Sequence, residues 1–331
     1  MKNEDYLDTI TLGDCREHLP LLANESIDLF LSDIPYGINL DDWDVLHNNT
    51  NSALLGQSPA QLGKSGFKRR GKPINGWSQA DRNMGNEYQE WCASWAKQVL
   101  PKMKNGASLF VFGARRTIHR VVNAFEDTGL LLKDVLAWKK DSAHHRAQRL
   151  SIVYDRRGLK KEAEQWRGWR LGNLAPVYEP IAWFMKPYTI GGTITDNVLE
   201  YGVGAMNVDA CQINGSSPTN VLEFGFRNDE CRIHEAQKPL RLIEFLITLT
   251  TREGQTVLDP FMGSGTTAVA ASRLKRHFIG FEIVSSFHQA AIKRLDAEVG
   301  VYNDISSGNH VQQMLFEKAK KKYGRAQLLA P

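Results

Sequence analysis

Two short stretches of the chain put reactive residue types where strands should end. The first is Asp33-Ile34-Pro35-Tyr36, which follows the apolar run Ile27–Leu31. A turn there would need only the proline and the following glycine; a carboxylate and an aromatic ring at a strand tip are surplus to it. The second lies in TVLDPFMGSGTTAVAASRLKRHFIGFEI, which reads as strand, glycine turn, helix, strand and terminal acid. Gly263 and Gly265 let the backbone turn tightly and approach a ligand closely. Glu282, 17 residues after Gly265, ends the next strand, where an acid can accept hydrogen bonds from ribose hydroxyls.

The glycine spacing is not G-x-G-x-x-G, and Thr266 and Thr267 stand where a pyrophosphate loop prefers small residues. Asp259, at the tip of the strand before the loop, suits a cationic ligand group better than a phosphate. S-adenosylmethionine meets both conditions, having a sulfonium, an amino group and a ribose but no phosphate. A nicotinamide dinucleotide, with its pyrophosphate, fits less well.

These residues need a scaffold. TITL and the nearly continuous apolar IDLFLSD read as strands, the second buried on both faces of a parallel sheet. EYQEWCASWAKQVLPKM predicts an amphipathic helix, ASLFVFG a strand, RRTIHRVVNAFEDTG a helix and LLLKDVLAWKK a strand. EAQKPLRLIEFLITLTT predicts a helix before the glycine unit, and Ser285 to about Val299 another after it. The alternation predicts an α/β fold with a doubly wound, mostly parallel sheet. In such sheets ligands collect at the carboxyl ends of strands, so Asp33 and the Gly263 loop should face one edge.

Between the two halves the pattern changes. Residues 139–170 carry ten Lys/Arg against four Asp/Glu. The expected organisation is a catalytic half over 1–138 with a long loop at about 38–86, an insert over 139–231, a cofactor half over 232–300 and a basic tail over 301–331. With a net charge of +4, the chain suits a polyanionic partner without requiring one. The four cysteines are scattered, which predicts free thiols in a reducing cytoplasm and no disulfide frame or zinc site. No stretch approaches the ~20 apolar residues of a membrane span.

Taken together, DIPYG and DPFMGSGTT resemble the DNA amino-methyltransferases, which act on the exocyclic amine of adenine or cytosine. His234-Glu235-Ala236-Gln237-Lys238-Pro239 is similar to a His-Pro-x-Gln-Lys-Pro element of that family, and Gly13-Asp14 to its N-terminal Gly-Asp. The catalytic block precedes the cofactor block with a basic region between, the order of the family's β group. The resemblance spans about residues 8–295. It implies a Rossmann-like methyltransferase fold, S-adenosylmethionine as cofactor, no metal, and a base flipped out of double-stranded DNA. It also points to a homodimer, and leaves open whether a cognate restriction endonuclease accompanies the chain.

By the same resemblance Asp33 and the Ile34 carbonyl hold the amine, Pro35 stiffens the turn and Tyr36 stacks on the base. Phe261, Gly263, Gly265 and Thr266 shape the cofactor pocket, Glu282 holds the ribose, and Asp259 and Lys238 meet the methionine end. Asp14 serves either end of the cofactor. Lys68, Arg69, Arg70, Lys139, Lys140, Arg146, Arg149, Arg156 and Arg157 are the expected phosphate contacts, with the loop carrying the first three ordering over the target. Asp in the catalytic block points to adenine N6, with cytosine N4 open and a catalytically silent DNA-binding module as the alternative of another class. Ile34 departs from the family's proline, and Ile34→Pro is expected to be tolerated.

Overall fold

The computed structural model describes residues 3–36, 79–141, 148–171, 174–227, 230 and 237–306, the side chains of 79–82, 84 and 300–306 excepted. Among the described residues ten strands run in chain order: β1 (Thr9–Leu12), β2 (Ile27–Asp33), β3 (Met103–Phe112), β4 (Leu131–Lys139), β5 (Gln148–Arg149), β6 (Arg170–Leu171), β7 (Tyr178–Met185), β8 (Val221–Glu223), β9 (Thr256–Asp259) and β10 (His277–Glu282). The helices are α1 (Cys15–His18), α2 (Gln79–Val99), α3 (Ile118–Asp127), α4 (Leu150–Arg156), α5 (Lys160–Gln165), α6 (Ile194–Tyr201), α7 (Leu240–Thr250), α8 (Thr266–Arg273) and α9 (Ser285–Ser306).

Eight strands form one sheet in the order β1-β10-β9-β2-β3-β7-β4-β8. All pairings are parallel except those of β7, which runs antiparallel to both β3 and β4. The two ends of the chain interleave: β1 pairs with β10, and β2 with β9. From β9 the chain winds to β10 on one side, and from β2 to β3 on the other. The gap between the tips of β2 and β9 is therefore a topological switch point, where open α/β sheets bind ligands.

Alternation along the strands sorts the core onto two faces. Leu29, Leu31, Phe110, Phe112, Val257 and Phe278 pack on the side of α7 and α8. Phe30, Leu109, Val111, Leu258, Ile279 and Phe281 pack on the side of α2 and α3. Strands buried on both faces need apolar residues at every position, which is why IDLFL and LFVF lack alternation.

The expected insert over 139–231 is narrower in the structure. β7 lies in the middle of the sheet, and β8 pairs with β4 at its edge. The apolar run of β7 completes the core between β3 and β4, so it cannot belong to an appended unit. One part that stands outside the sheet is the segment 148–171, where β5 and β6 pair with α4 and α5 between them. Neither helix has a buried residue. The segment holds seven Lys/Arg against three Asp/Glu, with Trp166 and Trp169 edge to face at 5.3 Å.

Candidate active site

The carboxyl ends of β2, β9 and β10 open on one cavity of about 360 Å³, within the usual range of small-molecule sites. Asp33 and Pro35 line it from β2, Asp259, Phe261 and Gly263 from β9 and its loop, and Glu282 from β10. Asp14, Thr266 and Lys238 line it too. The structure thus brings both predicted blocks to one site, as the parallel sheet requires.

The glycine loop is built around Glu282. Its two carboxylate oxygens accept the backbone N–H groups of Gly263 and Val284, each at 2.8 Å. Burial raises the Glu282 pKa, and these backbone donors oppose the rise. Gly265 has φ of +76°, and a Cβ there would meet Ala291 at 3.1 Å, so close approach and left-handed backbone both require glycine. Thr266 opens α8, as expected.

Asp259 joins the two halves of the chain. Its carboxylate accepts Ser32 Oγ at 2.5 Å, Thr267 Oγ1 at 2.6 Å and the Phe261 N–H at 3.1 Å. Burial pushes its pKa up to about 6 despite these donors. Asp14 caps α1 by accepting the Arg16 N–H at 2.9 Å, and it also pairs with the Arg16 guanidinium.

Asp33 is held from one side. Lys238 Nζ donates to its Oδ2, while Oδ1 is buried with no hydrogen-bond partner among the described residues. An orphan buried acceptor is costly, and here it belongs to a carboxylate that lines the cavity. Burial raises the Asp33 pKa, with Lys238 opposing. Burial would lower the Lys238 pKa, but Asp33 and Glu179 outweigh it and hold the ammonium charged. The turn is pinned through its carbonyls: Tyr88 donates to Pro35 O at 2.8 Å and Thr117 to Tyr36 O at 3.1 Å.

Ile34 is 1% exposed and packs in the core with Phe30 and Trp95. That packing adds a cost which the expectation for Ile34→Pro, drawn from the backbone alone, left out. The smaller ring would leave a void, and we expect a loss of roughly 1–3 kcal/mol, read as a lower urea midpoint. An unchanged midpoint would contradict this packing role.

Of the expected phosphate contacts, Lys139, Arg149, Arg156 and Arg157 are exposed. Lys139 pairs with Glu223 at 2.7 Å, and Lys140 is engaged by Glu179. Lys68, Arg69, Arg70, Arg146 and His234–Ala236 lie outside the described residues, as does most of the loop expected at about 38–86, whose residues 79–86 belong instead to α2. Sequence reasoning missed Glu179, at the start of β7, whose only signal was a charged residue opening a buried strand. It also missed Trp91 and Trp95, four apart on α2, which line the cavity. Arg294 was missed as well; it reaches from α9 to Thr266 Oγ1 at 2.8 Å.

The lining favours a cationic ligand with hydroxyl groups over a phosphorylated one. Asp14, Asp33, Asp259 and Glu282 all face the cavity, and its two cations, Arg16 and Lys238, are already paired with carboxylates. The described residues contain no group of His, Cys, Asp and Glu suited to a metal ion.

Comparison with known proteins bears on the family and the fold. The chain is 48% identical over 297 residues to the Type II methyltransferase M.HindIII of Haemophilus influenzae, covering 88% of this chain and 96% of that protein. It is 25% identical over 303 residues to the Type II methyltransferase M.HinfI of the same species, covering 91% and 72%. Among solved structures, PvuII DNA methyltransferase (cytosine-N4-specific) shares the fold with a TM-score of 0.56 at 20% identity, over 91% of this chain and 93% of that one. Residues 27–293 match the family model described as DNA methylase, N6/N4 type. With that match over most of its length, and a relative 48% identical, the chain belongs to the N6/N4 DNA methylase family.

Proposed function

We propose that the protein transfers a methyl group from S-adenosylmethionine to N6 of an adenine flipped out of duplex DNA. The observation that carries this reading is the unpartnered Oδ1 of Asp33 beside a cavity whose carboxylates suit a cationic, ribose-bearing ligand.

Glu282 and the loop it fixes would hold the ribose, and Phe261, Trp91 and Trp95 would enclose apolar parts of the cofactor. Asp259 and Asp14 would face its charged end. Bound there, S-adenosylmethionine supplies an electrophilic methyl group on a sulfonium.

The residues of the chain prepare the nucleophile. The adenine amine is a poor one, because its lone pair is delocalised into the ring. Asp33 Oδ1 accepts one amine hydrogen and the Ile34 carbonyl the other, drawing the nitrogen toward tetrahedral geometry. As the nitrogen takes the methyl group, whose bond to sulfur breaks, it would gain positive charge and its protons become acidic, and Oδ1 would take up the one it sheds. Tyr36 stacks on the extruded base and offsets part of the flipping cost, at roughly 1–3 kcal/mol. Fixing the reacting groups supplies the advantage of proximity.

Lys139, Arg149, Arg156 and Arg157 would neutralise phosphates and give salt-dependent affinity. The family's β-group motif order supports a homodimer, and the Type II class of the relatives supports a cognate restriction endonuclease. Cytoplasmic action suits the buried free thiols of Cys15, Cys92 and Cys211. No helix among the described residues is long and apolar enough to cross a membrane.

Incubation with mixed-sequence duplex and methyl-labelled cofactor, followed by digestion to nucleosides, tests the reading. Label in N6-methyladenine is the expected result. Label in N4-methylcytosine would replace the target base. Cofactor binding without any label would overturn catalysis in favour of a silent DNA-binding module.

A further inference from the structure

We infer that Glu179 is a positioning residue of the transfer step, holding both the Tyr36 hydroxyl and the Lys238 ammonium so that Lys238 fills Oδ2 of Asp33 and Oδ1 is the oxygen left without a hydrogen bond. This rests on the reading of Asp33 and Tyr36 given above.

Glu179 comes from β7, the one reversed strand of the sheet. Because β7 runs against its neighbours, its first residues lie at the edge where β2, β3 and β4 end. Register places this directly. Glu179 is opposite Trp138 on β4, and Ile181 is opposite Phe112 on β3, which itself is opposite Asp33 on β2. A strand in the common direction would bring its last residues to this edge.

The contacts of Glu179 all lead to the site. Tyr36 donates its hydroxyl to Glu179 Oε2 at 3.3 Å. Lys238 Nζ lies 3.6 Å from the same oxygen while it donates to Asp33. Lys140 engages the other oxygen, Oε1. Lys238 is only 5% exposed and sits 5.5 Å from the Tyr36 ring centroid and 5.2 Å from that of Phe112. A buried ammonium needs carboxylate partners to remain charged, and it finds one on each side. Burial raises the Glu179 pKa, but Lys238 and Lys140 outweigh it and keep the carboxyl below its usual range.

Two consequences follow for catalysis. With Oδ2 of Asp33 filled by Lys238, the amine meets a single defined acceptor instead of two interchangeable ones. With its hydroxyl tied to Glu179, the Tyr36 ring cannot rotate freely, so its stacking face is set before the base arrives. Pre-set geometry of this kind is what an intramolecular reaction gains from. The groups facing Asp33 are Lys238, Glu179, Tyr36 and, across the β2–β9 gap, Asp259. Arg16, Asp14 and Glu282 stand further along the same cavity.

The charges give a signature that a purely structural role would not produce. Asp33 must be ionised to accept the amine, so the transfer rate falls as pH drops through its pKa. Lys238 lowers that pKa and Glu179 raises it. Glu179→Gln should therefore move the acid limb of the single-turnover rate to lower pH, and Lys238→Gln should move it to higher pH. At the plateau, Glu179→Gln should be slower by about tenfold or more, the worth of a lost charged hydrogen bond, with cofactor affinity measured by calorimetry unchanged. Opposite displacements of the two limbs support the inference. A Glu179→Gln enzyme with the wild-type plateau and an unmoved limb overturns it.

Should Glu179→Gln lose cofactor binding through misfolding, Glu179→Asp keeps the charge, withdraws the carboxylate from the Tyr36 hydroxyl and reads the same contact. A plateau loss of about tenfold then supports the inference, and a wild-type plateau overturns it. In either case wild-type enzyme is run alongside. Its failure to label DNA would refute the proposed function itself, a result distinct from any difference between variants.

Discussion

Asp33→Asn is expected to slow methyl transfer by about 10²–10⁴-fold, the usual worth of a positioned acid–base group, while cofactor affinity stays within a few-fold of wild type. The reasoning is atomic. Asparagine keeps the shape and leaves the β2 tip, the Pro35 turn and the glycine loop untouched. It removes the charge that draws an amine hydrogen toward Oδ1, the one carboxylate oxygen of Asp33 with no partner among the described residues. It also turns half of the acceptor capacity into a donor, which would face the amine's own N–H. Lys238 loses its shorter-range partner but keeps Glu179 at 3.6 Å. The stability cost should therefore stay near 1–3 kcal/mol, well short of unfolding the domain. Single-turnover kinetics with saturating cofactor separates the two effects. Undiminished transfer by a folded Asp33→Asn protein would remove Asp33 from the mechanism.

Glu282→Gln is expected to act on the other substrate. Both carboxylate oxygens of Glu282 receive backbone N–H groups at 2.8 Å, from Gly263 on one side and Val284 on the other. Glutamine can satisfy one of these donors and opposes the other with its own NH₂. The loop loosens, and the ribose loses a charged acceptor. The expected result is a cofactor Kd weaker by about 10–100-fold, from about 1.5–3 kcal/mol of lost charged hydrogen bonding, with transfer restored at saturating cofactor. The pH dependence carries a sign as well. The Glu282 pKa is raised by burial, and only the ionised form accepts freely, so wild-type affinity should weaken as pH falls through that raised value. The variant should lack this dependence. Calorimetry across the acid range checks both points, and an unchanged Kd would contradict the assignment.

Much of the site could be read in the chain because its chemistry is local. Asp33 and Tyr36 are three residues apart, and the glycine loop with Glu282 is one βαβ unit. Each block carries its own strand and turn, so residue type and spacing suffice. The parallel sheet then dictates that both blocks meet, since each follows a strand at the same edge. The parts that were not legible depend on contacts across the sheet. Glu179 joins Asp33 only because β7 is reversed and seated between β3 and β4, and strand direction leaves no mark on a short apolar run. Lys238 seemed placed for the cofactor because of its neighbours in sequence, yet its shortest contact is with Asp33, 205 residues away. The insert was drawn too wide for a related reason: β7 reads as a strand, but nothing local says which sheet it joins.

Ile34 shows the limit from another side. By motif it stands where a proline would be welcome, and the backbone argument alone favours the exchange. Its side chain is nearly fully buried, and that packing could not be read from the turn.

The central claim is that an extruded base presents its exocyclic amine to Asp33 Oδ1. A structure of the protein with duplex DNA and the demethylated cofactor product tests it most directly. The account predicts an adenine out of the helix, its N6 about 2.7–3.2 Å from Oδ1, its ring against Tyr36, and Lys238 still on Oδ2. A target base left stacked in the duplex, or an amine that reaches the cavity without approaching Asp33, would contradict it.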